Sequence, residues 1–142
     1  MIFKNKDTYL IIPDLHIPDH NEQAFDFIAD TIRFFKIPME NRYSLGDEVE
    51  FAAFSMHPKG ADYTRTPNQE LEQVRLILKK FARVIGPDLK ICYSNHVSRY
   101  WRKAYQAEIT TQALRPYREL IDAPSTWVWK DHFRVPSEHP FL

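Results

Sequence analysis

Three short segments of this chain each end abruptly at a group of polar residues, and this pattern restricts the fold more than any other feature. The segments are residues 9–12, 42–45 and 89–93. The first is continuously apolar, which is typical of a strand buried on both faces of a parallel sheet. The polar groups that follow the three segments are Asp14-Leu15-His16, Gly46-Asp47 and Ser94-Asn95-His96. We therefore predict three strands that each end at polar side chains.

Helical patterns separate these strands. Three signals indicate the first helix. Asp19 and Glu22 stand at capping-box spacing, and Pro38 closes the helix. Between them lie apolar residues at helical spacing: Phe25, Ile28, Ile32 and Phe35. Its phenylalanines are expected in the core. Residues 48–56 are predicted to form a brief helix and residues 57–65 a loop.

A longer helix is predicted after that loop. Thr66 is a suitable N-cap, Pro67 suits the first helical position, and Gln69 completes a capping box. One apolar stripe follows and stops at Gly86-Pro87: Leu71, Val74, Leu78, Phe81 and Ile85. Residues 98–122 are expected to be largely helical with a boundary at Pro116, and residues 127–135 to contain one or two short strands. Strands that alternate with helices predict an α/β domain over residues 1–142, with a mostly parallel sheet flanked by helices.

The composition excludes several classes of protein. Nineteen Lys and Arg residues balance nineteen Asp and Glu residues, so the net charge is zero and broad electrostatic binding to nucleic acid or acidic membranes is not favoured. The single cysteine, Cys92, excludes an internal disulfide framework and a multi-cysteine metal site. The sequence has no apolar run long enough to span a membrane and no secretory signal, so a cytoplasmic setting is expected.

The polar groups at the strand ends suggest metal chemistry. The carboxyl ends of parallel strands meet at one edge of the sheet, where functional residues collect. Carboxylate, imidazole and amide ligands suit Mn²⁺, Fe or Zn²⁺. Two-metal sites are the usual means of cleaving phosphate esters, and an uncoordinated histidine can then protonate the leaving alkoxide. We expect a site of this kind.

These motifs resemble those of the calcineurin-like metallophosphoesterases. That family is marked by Asp-x-His, then Gly-Asp-x-x-Asp or Glu, then Asn-His, each after a strand. This chain has Asp14-Leu15-His16, Gly46-Asp47-Glu48-Val49-Glu50 and Ser94-Asn95-His96 in the same order. Ser94 replaces the more usual glycine, as in a variant found in phage and bacterial members. The chain resembles the N-terminal half of the family's αββα sandwich.

The resemblance implies a role for each matching residue. Asp14 and His16 would hold a first metal, Asp47 would bridge two metals, and Asn95 would hold the second. His96 would act as the acid or contact the phosphate. The implied cofactor is a pair of divalent ions, most simply Mn²⁺, and the implied nucleophile is a water activated between them.

Two further residues receive supporting roles from the same resemblance. Glu50 matches the last acidic position of the second motif, and Arg99 lies just beyond Asn-His, where it could meet the phosphate. The implied activity is hydrolysis of a phosphoester whose identity the motifs leave open.

One departure from the family supports an alternative function. The family completes its site with later histidines, including a Gly-His-x-His element. This sequence has no Gly-His-x-His element, and its late histidines are His132 and His139. The resemblance therefore implies that the family's second half is missing. The alternative is a non-catalytic or split relative that binds a partner, or that needs a second polypeptide to supply the histidines.

Simpler interpretations remain open for several residues. Glu48 and Glu50 could favour the dipole of a helix in its first turn. Cys92 is interpreted as a small core residue, and His20, His57, His132 and His139 as ordinary surface or loop histidines. The segment Arg99-Tyr100-Trp101-Arg102-Lys103 resembles a basic-aromatic nucleic-acid patch, although a solvated amphipathic helix explains it better.

Overall fold

A computed structural model describes residues 8–135 of the chain. A four-stranded sheet, all of it parallel, runs in the order β1-β2-β3-β4: Leu10–Ile12, Arg42–Ser44, Lys90–Cys92 and Val128–Lys130. The helices are α1 Gln23–Phe35, α2 Pro67–Ile85, α3 Asn95–Gln106 and α4 Tyr117–Leu120. Short 3₁₀ turns cover Met39–Asn41, Ala52–Phe54 and Thr111–Ala113. The predicted α/β fold with a parallel sheet is confirmed.

The two sides of the sheet are buried to different extents. One row across the four strands lies in the core or against it: Ile12, Ser44, Ile91 and Trp129. On the other side, Ile11 of the edge strand β1 is 49% exposed. The expectation that β1 is buried on both faces was therefore wrong, because Ile11 leaves about half of its surface exposed on the second face.

A chain of aromatic rings connects the helices to the sheet. The Phe25 ring on α1 lies 5.2 Å from that of Phe81 on α2, which lies 5.9 Å from that of Trp127 beside β4. By contrast, Phe27 and Phe34 are 72% and 80% exposed. Phe35, the last residue of α1, is 48% exposed as well. The prediction that the phenylalanines of this helix lie in the core is therefore correct for Phe25 and wrong for the other three, because Phe27 and Phe34 occupy other faces and Phe35 lies at the helix end.

The start of α2 follows its local sequence signals, whereas the start of α1 does not. Thr66 and Gln69 form the predicted reciprocal capping box, and α2 ends at Gly86 as predicted. The predicted box of Asp19 and Glu22 is wrong: Glu22 is the N-cap of α1 without a side-chain bond. Asp19 pairs with Arg65 instead, so a tertiary ion pair replaces the local one.

The predicted helix over residues 48–56 is also wrong, because only Ala52–Phe54 form a turn of 3₁₀ helix. The buried Glu70 of α2 explains why that turn is stable. Its carboxylate accepts hydrogen bonds from the backbone N–H groups of Ala52, at 2.9 Å, and Ala53, at 2.7 Å. Glu48 and Glu50 precede the turn, so their interpretation as first-turn helix carboxylates fails.

The segment after β3 becomes helical earlier than predicted. α3 begins at Asn95, so the polar group that ends β3 lies in the first turn of a helix. The helical part of residues 98–122 is divided, since α3 ends at Gln106 and α4 begins only after Pro116. The predicted strand near the end is confirmed as β4. Over residues 8–135, no helix is both long and apolar enough to cross a membrane.

We predict that Glu70→Ala lowers the free energy of unfolding by about 2 kcal/mol, because the substitution removes the acceptor of two backbone N–H groups in the folded protein. Urea denaturation followed by circular dichroism measures the change. Glu72→Ala, an exposed glutamate on the same helix, is the matched control and should change stability by less than about 0.5 kcal/mol. Equal effects of the two substitutions would contradict the role of Glu70.

Candidate metal centre

Backbone hydrogen bonds join the loop that follows β1 to the loop that follows β2. The His16 N–H donates to the Asp47 carbonyl at 2.8 Å, and the Ile17 N–H donates to the Glu48 carbonyl at 3.0 Å. In return, the Glu50 N–H donates to the Ile17 carbonyl at 2.8 Å. These bonds extend the parallel pairing beyond the strands, so the predicted ligands of both loops meet at one edge of the sheet.

Gly46 allows this loop to pass close to the end of β3. Its φ is +100°, and a Cβ atom built there would lie 2.7 Å from the Cys92 carbonyl oxygen and 2.8 Å from the Ser94 Cβ. No side chain fits at that distance, and an L-residue is strained at that φ. The glycine before Asp47 is thus required by the approach of the two strand ends.

We predict that Gly46→Ala destabilises the fold by at least about 2 kcal/mol, because backbone strain and a steric clash add together. Gly60→Ala is the matched control, since no atom of the described part of the chain lies within 4 Å of a Cβ at that position. Thermal or urea unfolding of the two variants measures the difference. A Gly46→Ala protein as stable as the Gly60→Ala protein would contradict the close approach.

Three of the predicted ligands adopt a left-handed backbone conformation. The φ angles are +38° at Asp14, +53° at His16 and +52° at Asp47. Residues other than glycine adopt these angles at an energetic cost, and such strain clusters at functional sites. Here the strained conformation accompanies the convergence of three potential ligands.

Two groups of side chains are arranged so that they could hold a metal ion, and they share His16. The first group is Asp14, His16 and Asp47, and the second is His16, Glu50 and His96. In each group the potential ligand atoms all lie within 4.8 Å of one another. The sequence motifs predicted the three members of the first group.

Glu50 determines which nitrogen of His16 faces the first group. Its Oε2 lies 2.5 Å from Nδ1 of His16, and its Oε1 accepts a hydrogen bond from Arg99 at 2.7 Å. An ionised carboxylate only accepts, so Nδ1 carries the proton and Nε2 keeps its lone pair. That Nε2 lies 3.9 Å from the Asp14 carboxylate, as a metal ligand oriented by a carboxylate would.

The charge of Glu50 is maintained by its neighbours. Burial raises the pKa of its carboxyl group, but hydrogen bonds from Arg99 and His16, together with nearby His96, outweigh burial and lower that pKa below its ordinary value. Arg99 also donates to the Glu50 backbone carbonyl at 2.5 Å. The Arg99 guanidinium therefore already supplies a positive charge beside the second group. A metal ion suits the first group better, because like charges repel.

His96, a member of the second group, is buried beside Asp47 of the first group and is neutral. Its Nε2 lies 2.7 Å from Nη2 of Arg99, which can only donate, so the proton of His96 is on Nδ1. Burial lowers the pKa of this imidazole; Asp47 and Glu50 raise it, and Arg99 and His16 lower it, with a net decrease. The Nδ1–H faces carboxylates of Glu50 at 3.5 Å and Asp47 at 3.8 Å.

Within residues 8–135, three buried polar atoms of this region have no hydrogen-bond partner. They are Asp47 Oδ1, His96 Nδ1 and Ser94 Oγ. Most buried polar side-chain atoms are satisfied in folded proteins, so such a cluster requires an explanation. A buried carboxylate oxygen with no donor is chemically suited to a cation, and the residues of the first group therefore fit a divalent ion.

Glu48 faces the core on the other side of the loop, and sequence reasoning missed its partners. Its fully buried Oε1 accepts hydrogen bonds from Tyr117 at 2.8 Å and Trp129 at 3.0 Å. Burial raises the pKa of the Glu48 carboxyl above its ordinary 4.5 although these bonds oppose the shift. Both partners lie far along the chain, and no local pattern links them to Glu48.

We predict that Glu48→Gln makes the fold less sensitive to rising pH. A raised pKa means that the native state holds a proton that the unfolded state releases, so wild-type stability falls as pH rises above about 4.5. The glutamine keeps an acceptor for Tyr117 and Trp129 but has no proton to lose. As the pH rises, the free energy of unfolding of the variant should increase relative to that of wild type by at most about 1.4 kcal/mol per pH unit.

Urea unfolding between pH 4.5 and 8, with a chelator present, measures this difference. Glu72→Gln is the matched control, since Glu72 is exposed. Parallel pH profiles for wild type and Glu48→Gln would refute the buried-carboxyl explanation.

The other sequence-predicted residues lie at the border of the site or away from it. Asn95, the predicted ligand of a second metal, is exposed at the first residue of α3. His57 and His132 are exposed, and the ring of His20 stacks on Phe25. Cys92 is half-buried rather than fully buried. His139 lies outside the described residues.

Comparisons with protein-family models, with curated proteins and with solved structures return no significant match. The resemblance to calcineurin-like metallophosphoesterases therefore stays a prediction. It depends on the sequence motifs, and the geometry of Asp14, His16 and Asp47 is compatible with it.

Proposed function

We propose that this chain is a metal-dependent phosphoester hydrolase. The observation that carries the proposal is the convergence of Asp14, His16 and Asp47, with Glu50 holding the Nε2 of His16 free for an ion. Carboxylate and imidazole ligands beside an unpartnered buried oxygen of Asp47 are the donor set expected for Mn²⁺, Fe or Zn²⁺. We propose Mn²⁺ as the natural ion.

A divalent ion held by these residues would polarise a phosphoryl oxygen and lower the pKa of a water molecule. The protein's own residues would orient the reaction. Asp14 and Asp47 would bind the ion, and Glu50 would keep His16 in the ligating tautomer. His96 is neutral with its proton on Nδ1, so it is suited to donating a hydrogen bond to the phosphoryl group. Arg99 holds both Glu50 and His96 in place.

A second ion would need ligands beyond the first group, and we propose that Asn95 contributes one. The sharing of His16 between the two groups also favours an alternative function. Because Glu50 engages Nδ1 of His16, this histidine presents only Nε2 to an ion. Among residues 8–135, His16 can therefore complete one metal position and not two. The alternative is a binding protein, or a chain whose second metal position is completed by another polypeptide.

We predict that Asp47→Asn abolishes Mn²⁺-stimulated hydrolysis of bis(p-nitrophenyl) phosphate. Loss of a residue that orients a ligand costs 10–100-fold, so loss of a bridging carboxylate should reduce the rate to below about one hundredth. Release of p-nitrophenol measures the rate, and circular dichroism checks the fold. Asp62→Asn, at an exposed loop aspartate, is the matched control and should retain the wild-type rate. Activity retained in Asp47→Asn would refute the proposal.

Calorimetric titration with Mn²⁺ separates the two functions. Two sites per chain, both weakened by Asp47→Asn, support the hydrolase with Asp47 between two ions. One weak site or none, without hydrolysis, supports the binding protein or the completed-site alternative.

A further inference from the structure

A cavity of about 190 Å³ lies beside the candidate metal centre, between the 3₁₀ turn at Ala52–Phe54 and the first two turns of α3. Its lining includes Ser55, Met56, His57, Asn95, Arg99 and Arg102. Arg99 belongs both to this lining and to the hydrogen-bond network of Glu50 and His96. This residue therefore connects the lining of the cavity to the candidate metal centre.

The lining of the cavity is basic, whereas the metal centre is acidic. Two arginines and a histidine contribute to the lining, and among residues 8–135 no aspartate or glutamate does. Arg99 is fully engaged by Glu50 and His96. Arg102 is exposed and, among residues 8–135, makes no ion pair or side-chain hydrogen bond. An arginine without a carboxylate partner in a cavity free of acidic groups is suited to binding an anion.

The positions of these residues on α3 define how far that anion lies from the metal centre. Asn95, Arg99 and Arg102 follow one another at spacings of four and three residues, so they share one helix face. Seven residues span about 10 Å along a helix axis, and a helical side chain leans towards the N-terminus. Helix geometry therefore places the guanidinium of Arg102 about one to two helical turns from Asn95 along α3.

We propose that this cavity binds a second, non-reacting phosphate of the substrate, and that the substrate is a small organic bisphosphate. The inference rests on the proposed function, since it assigns the substrate class of the same site. Arg102 forms the charge-assisted hydrogen bonds to the distal phosphate, with His57 and Met56 beside the group that joins the two phosphates. A substrate with one phosphate leaves Arg102 without a partner.

Three observations favour a small substrate over a nucleic-acid strand. The cavity volume suits a phosphate and its linking atoms rather than a stacked base. The Tyr100 ring packs against Phe54 at 5.8 Å between centroids and against Trp101 at 4.8 Å, so these aromatic residues are already engaged within the protein. The chain has zero net charge, which gives little attraction for a polyanion.

Calorimetry with two nucleotides tests the inference directly. Thymidine 3′,5′-bisphosphate and thymidine 5′-monophosphate differ only in the second phosphate, and both are titrated into the full chain with Mn²⁺ present. We expect the bisphosphate to bind about tenfold more tightly, a preference that Arg102→Ala removes and Arg102→Lys retains in part. Lys103→Ala is the matched control, since this exposed lysine points about 100° away around α3 and should leave the preference unchanged.

Equal binding of the two nucleotides to wild type would overturn the inference, as would a full preference in Arg102→Ala. A ten-residue oligothymidylate that binds more tightly than the bisphosphate would overturn the assignment to a small substrate. The p-nitrophenyl esters of thymidine 5′-phosphate, with and without a 3′-phosphate, provide the kinetic counterpart: KM should be lower for the 3′-phosphorylated ester.

Failure of this inference is distinguishable from failure of the proposed function. If neither ester is hydrolysed but the binding preference persists and depends on Arg102, the hydrolase proposal fails and the bisphosphate site stands. If both esters are hydrolysed with equal KM and both nucleotides bind equally, the hydrolase stands and the bisphosphate site fails.

Discussion

The parallel pairing of two loops, carried beyond the ends of β1 and β2, is the constraint on which the candidate site depends. His16 and Ile17 donate backbone hydrogen bonds to one side of the second loop, and Glu50 returns one. Because these bonds hold the two main chains together, Asp14 and Asp47 stay at the same edge of the sheet. The same close packing leaves room only for a glycine before Asp47, at position 46.

The four residues after Gly46 divide their side chains between two environments. Asp47 and Glu50 are directed to the polar cluster, whereas Glu48 and Val49 are buried in the core. The pKa values of the two glutamates shift in opposite directions for that reason. Hydrogen bonds from Arg99 and His16 keep the pKa of Glu50 low, and burial raises that of Glu48. One short segment thus joins the electrostatics of the site to the packing of the core.

Local sequence signals predicted the structure well where the stabilising contacts are themselves local. The α2 helix begins at its Thr66–Gln69 capping box and ends at Gly86, because capping bonds join residues three or four positions apart. The predictions failed where distant residues intervene. Arg65 binds Asp19 and displaces the expected cap of α1, and Glu70 stabilises a 3₁₀ turn where a longer helix was expected.

The α/β class follows from the sequence alone, as does the order in which the polar groups follow the strands, since both depend on apolar patterns and turn residues. The sequence also indicated Asp14, His16 and Asp47 as neighbours, because parallel strands end at one edge of a sheet. The folded structure was needed to show which nitrogen of His16 is free and that the guanidinium of Arg99 is engaged. These properties depend on distances between side chains far apart in the chain, and no periodicity encodes such distances.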